Sequence, residues 1–166
     1  MAIDRSAPLP ALAGSRRMLE WSLVAGVIVV LSMVFFRQVQ LLQGQAELAA
    51  IQATLGALRT TLVIDHLQRS VDAKAAAATS SNPFELLQRR PPNYLGEMSA
   101  TKARDATPGN WVFDPECACV GYLPRHGQWL ESANAESLAW FRVTGAPGPR
   151  QITARERYVW QGQALE

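Results

Sequence analysis

"SRRMLEWSLVAGVIVVLSMVFFRQVQLLQ", Ser15 to Gln43, decides how the rest of the chain is read. From Trp21 to Phe36 it carries about 16 uncharged residues rich in Leu, Val and Ile, and Met18 and Leu19 bring the run close to the roughly 20 that cross a bilayer as a helix. No proline or charge interrupts it before Arg37. A cleavable signal peptide has a short apolar core followed by small residues at its cut site. Here Phe35-Phe36-Arg37-Gln38 follows, bulky and charged, and then more helix-forming sequence. The stretch reads as a retained anchor, a transmembrane helix over 16–37.

Arg5, Arg16 and Arg17 precede the run, and only Arg37 lies close behind it. The positive-inside rule then puts the N-terminus in the cytoplasm and the bulk of the chain on the far side. Residues 1–15, with Pro8 and Pro10, read as a disordered cytoplasmic leader. Glu20 leaves two readings open. It lies within helical reach of Arg16 and Arg17 near the membrane surface and needs no further role. Alternatively a partner in the membrane supplies the compensating charge, since a carboxylate inside hydrocarbon costs up to about 2.5–3.5 kcal/mol at the centre and less near the edge.

Beyond Arg37 the pattern becomes amphipathic. Leu41, Leu48, Leu55 and Leu62 recur every seven residues, with Ile51 and Leu58 between them. This is one apolar stripe on a helix continuing over 38–70. Gly44 and Gly56 weaken that helix by about 1 kcal/mol each relative to Ala without breaking it. The stripe is short for a coiled coil, and a small domain from the same chain is the expected cover.

Residues 71–109 read as a linker with one short helix, capped by Asn82 with Pro83 at its first position and stopped by Pro91-Pro92. The period then shifts to two over 110–166. "NWVFD" (Asn110 to Asp114) and "CACVGYL" (Cys117 to Leu123) flank Asp114-Pro115-Glu116 as a hairpin. "SLAWFRVTG" (Ser137 to Gly145) and "QITARERYVWQ" (Gln151 to Gln161) supply two more strands across the turn-forming Ala146-Pro147-Gly148-Pro149. The expected fold is α+β: a long N-terminal helix, membrane-spanning in its first half, packed on a four-stranded antiparallel sheet.

The function classes narrow quickly. A formal net charge of +2 gives no footprint for nucleic acid. Cys117 and Cys119 with His66 and His126 have no metal-site spacing. His66 beside Asp65 and His126 in a turn read as solvated or partly packed side chains. No phosphate loop, nucleophile elbow or metal-hydrolase motif occurs, so no catalytic, cofactor-binding or metal residue and no small-molecule substrate is assigned. Cys117 reads as a packed, inward-facing thiol, and oxidation to a Cys117–Cys119 bridge in an exported domain is the alternative. The aromatic residues read as core and cross-strand pairs.

With these residues in hand, the chain resembles type IV pilins and the pseudopilins of type II secretion. "QAELAAIQATLGALRTTLVI" (Gln45 to Ile64) is similar to that family's helix where it leaves the membrane and lies on the sheet. "PGNWVFDPECACVGYLP" (Pro108 to Pro124) is similar to a hairpin carrying a Trp, an aspartate turn and a Tyr, and "SLAWFRV" fits the strand after it. The resemblance implies a single-pass protein of the bacterial inner membrane with its C-terminal domain in the periplasm or a surface filament. It implies assembly with other pilin-like subunits or pilus and secretion proteins, leader cleavage between Gly14 and Ser15, and an assembly role for Glu20. In the family the mature chain begins with an apolar residue and has glutamate fifth. Here Ser15-Arg16-Arg17 follows the glycine and Glu20 is sixth. The family's usual helix proline is missing, and Cys117 and Cys119 do not match its widely spaced pair. The alternative is an unrelated single-pass protein carrying a periplasmic binding or scaffold module.

Overall fold

The computed structural model describes residues 11–71, 80–145 and 148–165. The protein is α+β and divides into two compact units, Met1–Gln43 and Gly44–Glu166. Helix α1, Ala11–Val71, runs from the first into the second. It starts upstream of Arg16, because Ala11-Leu12-Ala13 are strong helix formers placed just past Pro10, and so encloses Gly14 and Ser15. The leader as far as residue 10 lies outside the described residues.

In the first unit α1 is exposed on every side from Arg16 to Leu31. In the second, the expected stripe is buried: Leu48, Ile51, Leu55, Leu58 and Leu62 are at most 6% exposed. Leu41, which continues the same seven-residue period, is 43% exposed and belongs to the first unit. At the other end the period runs on through Asp65 and Arg69, where packing gives way to charge.

The stripe packs on a sheet larger than the four antiparallel strands expected. Five strands stand in the order β1-β2-β3-β5-β6: β1 Tyr94–Glu97, β2 Asn110–Asp114, β3 Cys119–Leu123, β5 Ala139–Thr144 and β6 Gln151–Ala154. The added strand β1 pairs parallel to β2, so the sheet is mixed. It comes from a stretch read as loop. Tyr94 stacks on Phe84, with ring centroids 4.1 Å apart, and Trp111 N–H donates to Asn93 O at 2.8 Å. Phe84 is itself set by the expected cap, since Phe84 N–H donates to Asn82 Oδ1 at 3.0 Å at the start of the 3-10 turn Pro83–Leu86.

A second sheet, β4-β7-β8, is formed by Leu130–Ser132, Tyr158–Trp160 and Gln163–Leu165. The single strand expected over Gln151 to Gln161 is therefore two, broken at Arg155–Arg157 and divided between the sheets. The alternation hid the break. Ile152, Tyr158 and Trp160 are all buried, so the period of two survives while the pairing partners change.

The larger sheet is covered on both faces. Trp111, Phe113, Val120, Tyr122 and Phe141 face the α1 stripe in one core, which also takes Tyr158, Trp160 and Leu165. Val112, Cys119, Leu123, Leu138 and Trp140 form a second core with Ala103 from the one-turn helix α2, Ala100–Ala103. Facing this second core, Gly121 pairs with Val112 on one side and Trp140 on the other. A Cβ there would come within 2.6 Å of the Trp140 ring and 2.8 Å of Val112. The indole occupies the space that any side chain would need.

Candidate functional site

In the first unit the apolar helix is the site. Every large apolar residue from Met18 to Phe36 is exposed: Trp21 by 74%, Leu23 by 70%, Val30 by 61% and Phe36 by 66%. A continuous apolar surface of this extent is not left to water. Among the described residues this is the one helix long and apolar enough to span a membrane. Its surface carries a shallow notch of about 360 Å³ lined by Leu23, Gly26, Val27, Val30 and Leu31. A Cβ on Gly26 would touch nothing.

The charged entrance is built by helical spacing. Arg16 Nε lies 3.5 Å from Glu20 Oε1, one helical turn apart, with side chains 85% and 65% exposed. Glu20 thus has a counter-charge on its own helix. The backbone of Gly14 and Ser15 is helical.

In the second unit two polar clusters fasten α1 to the sheet domain. Glu47, one position before the buried Leu48, turns its carboxylate inward until the side chain is only 8% exposed. Tyr122 Oη donates to Glu47 Oε1 at 2.8 Å, and the Arg125 backbone N–H donates to the same oxygen at 2.7 Å. His126 Nδ1 stands 3.3 Å from Oε2. Burial, the hydrogen bond to Glu47 and that carboxylate's charge together push the Tyr122 pKa far above its usual value. His126 is thus a partly exposed turn residue that touches Glu47.

At the far end Arg150 Nη2 donates to Asp65 Oδ2 at 2.7 Å, and Arg69 pairs with the same oxygen from one turn further along α1. Arg150 Nη1 also donates to Ser80 O at 3.0 Å. Beside the Asp65 cluster an open groove of about 480 Å³ runs along α1 past Thr61, Asp65 and Gln68, with Leu86, Leu87 and Arg89 on its other wall.

Cys117 and Cys119 are joined by a disulfide. This corrects the packed thiol expected at Cys117, and places that residue in the turn after Asp114, not on a strand. Asp114 builds the turn: its Oδ1 accepts from Glu116 N–H and its Oδ2 from Ala100 N–H, each at 3.0 Å. Among the described residues no three His, Cys, Asp or Glu side chains gather as metal ligands.

No protein-family model, no curated protein and no solved structure matches this chain. Sequence reasoning singled out Gly14, Ser15 and Glu20, and all three lie within α1 ahead of the apolar run. It missed Glu47, whose partners lie 75 to 79 residues away. The available signal was a carboxylate set beside the apolar stripe.

Proposed function

We propose that the chain is a pilin-like, membrane-anchored subunit that works by assembly. Its apolar helix packs laterally with equivalent helices in the bacterial inner membrane, and the unit Gly44–Glu166 stands outside, in the periplasm or a surface filament. The partners are other pilin-like subunits or assembly proteins of a type IV pilus or a type II secretion pseudopilus. One observation carries the reading. A single helix presents an exposed, uncharged and mainly apolar surface over Trp21 to Phe36, and then buries one stripe, Leu48 to Leu62, in a mixed α+β domain. The first part suits lipid and neighbouring helices, and the second holds a head on the end of that stem.

Two further features support the proposal. Gly26 and its apolar notch allow close approach of another helix, the way small residues serve in bilayers where helix contact depends on packing. The Cys117–Cys119 disulfide suits an oxidising compartment on the far side of the membrane. Within this account Gly14-Ser15 is the processing point, and Glu20 exchanges its exposed bond to Arg16 for a neighbour's charge on assembly.

The pairing of Glu20 with Arg16 favours a second reading, an unrelated single-pass protein whose helix only anchors a binding or scaffold module. Cross-linking in native membranes separates them. Full-length chains carrying Leu23→Cys or Val30→Cys are oxidised in membranes and the adducts identified by mass. The assembly reading predicts adducts with other pilin-like helices or a second copy. Recovery of unlinked monomer at every position along the segment favours the plain anchor.

A further inference from the structure

We propose that the Cys117–Cys119 disulfide is a thiol-exchange site, reduced and re-formed by an external dithiol while the domain stays folded. The two sulfurs are unequally placed. Cys117 lies part-exposed in the turn, while Cys119 opens β3 and is fully buried beside Val112, Leu138 and Trp140. An incoming thiolate therefore meets Cys117 first, and Cys119 is the leaving sulfur.

The bridge adds little as a staple. It spans a single residue, and cross-links closing the shortest loops constrain the unfolded chain least. The backbone here is already fastened. Cys119 pairs with Asp114 across the hairpin, and Val143 N–H donates to Ala118 O at 2.9 Å. Ala118, the bridged residue, is instead held at φ +51, a left-handed conformation that costs energy for any residue but glycine. Such departures persist where surrounding structure enforces them, and they gather at functional positions.

Two backbone oxygens lie near the bridged sulfurs. Cys117 Sγ lies 4.0 Å from Asp114 O, and Cys119 Sγ 3.4 Å from Cys117 O. Arg142, exposed on β5, stands opposite Cys119 in the strand register.

The exchange balances in two steps. A thiolate of the external dithiol attacks Cys117 Sγ, the Cys117–Cys119 bond breaks, and Cys119 leaves as a thiolate that takes a proton. The second thiol of the reagent then deprotonates and attacks the mixed disulfide. It forms the reagent's own disulfide and releases Cys117 as a thiolate, which is protonated in turn. Two electrons pass from the dithiol to the cysteine pair, and the reverse sequence re-forms the bridge.

The test uses the full chain in detergent micelles with dithiothreitol as the dithiol and no denaturant. The free thiols are alkylated and counted by mass, with circular dichroism recorded alongside. Both cysteines are expected to label with the fold retained, and in a portion left unalkylated they should return to the disulfide when oxidised glutathione replaces the dithiothreitol. Two variants read the direction of attack. Cys117 in a Cys119→Ala chain should alkylate at least about tenfold faster than Cys119 in a Cys117→Ala chain, as accessibility governs thiol reactivity. Reduction that occurs only together with loss of the fold overturns the proposal, as does equal or faster labelling of Cys119.

Discussion

The indole Nε1 of Trp160 donates a hydrogen bond of 2.9 Å to the backbone carbonyl of Gly44, at the residue where the sheet-bearing unit begins. Trp160 is fully buried, so this bond and the ring's packing together set where α1 meets the second sheet. Replacing Trp160 by Phe removes the donor and part of the ring, and should cost about 1–3 kcal/mol in a denaturant titration. Gly44→Ala should change stability by less than about 1 kcal/mol, because the gain in helix propensity offsets the displacement of a side chain. The atoms nearest the new methyl belong to the flexible end of Gln161.

Glu47 gives a sharper contrast between two substitutions. Glu47→Ala leaves the buried Tyr122 hydroxyl and the Arg125 N–H without an acceptor, and is expected to destabilise by about 2–4 kcal/mol. Glu47→Gln keeps an acceptor oxygen and should cost less than half as much. Denaturant midpoints of the two variants test this, and equal costs would show that the charge alone matters.

At Gly121 the expected loss has a steric cause. Gly121→Ala places a methyl against Trp140 and Val112, where the ring cannot move without opening the second core. The variant should lose about 1–3 kcal/mol, visible as a lowered thermal midpoint. The double variant Gly121→Ala with Trp140→Leu should recover part of the loss, because it makes room for the methyl.

Tyr158 supplies a pH dependence. Burial pushes its pKa up to about 12, with the Glu156 and Glu136 charges adding to the rise, against the hydrogen bond its oxygen accepts from Trp140 N–H. The protonated form is therefore bound more tightly in the folded chain. Its contribution is fully present below the usual tyrosine pKa near 10 and is lost as pH rises from there through about 12. Unfolding free energy should fall across that window. The fall should be shallower in Tyr158→Phe, as measured by denaturant titration at successive pH values.

Much of this fold is legible in the sequence, for reasons that lie in particular residues. The Leu48–Leu62 stripe follows the helical period, and Asn82-Pro83 is a local cap needing no distant partner, so both appear in the structure as read. Strand β1 was hidden because "YLGE" has neither length nor alternation, and Gly96 at φ +103 interrupts it. What makes it a strand is distant: the stacking of Tyr94 on Phe84 and its register with Trp111. The split between β6 and β7 was masked by an inward alternation that continues across it. The anchoring role of Glu47 depends on contacts that no local pattern encodes.

The central claim is that α1 is the stem of a processed, pilin-like subunit. The most direct test is the intact mass of the chain recovered from membranes of cells that make it in full. The account predicts a chain beginning at Ser15, cut after Gly14, with Glu20 left near the new amino terminus. A chain that still begins at Met1 or Ala2 would contradict it, leaving α1 as a plain anchor and the scaffold reading in its place.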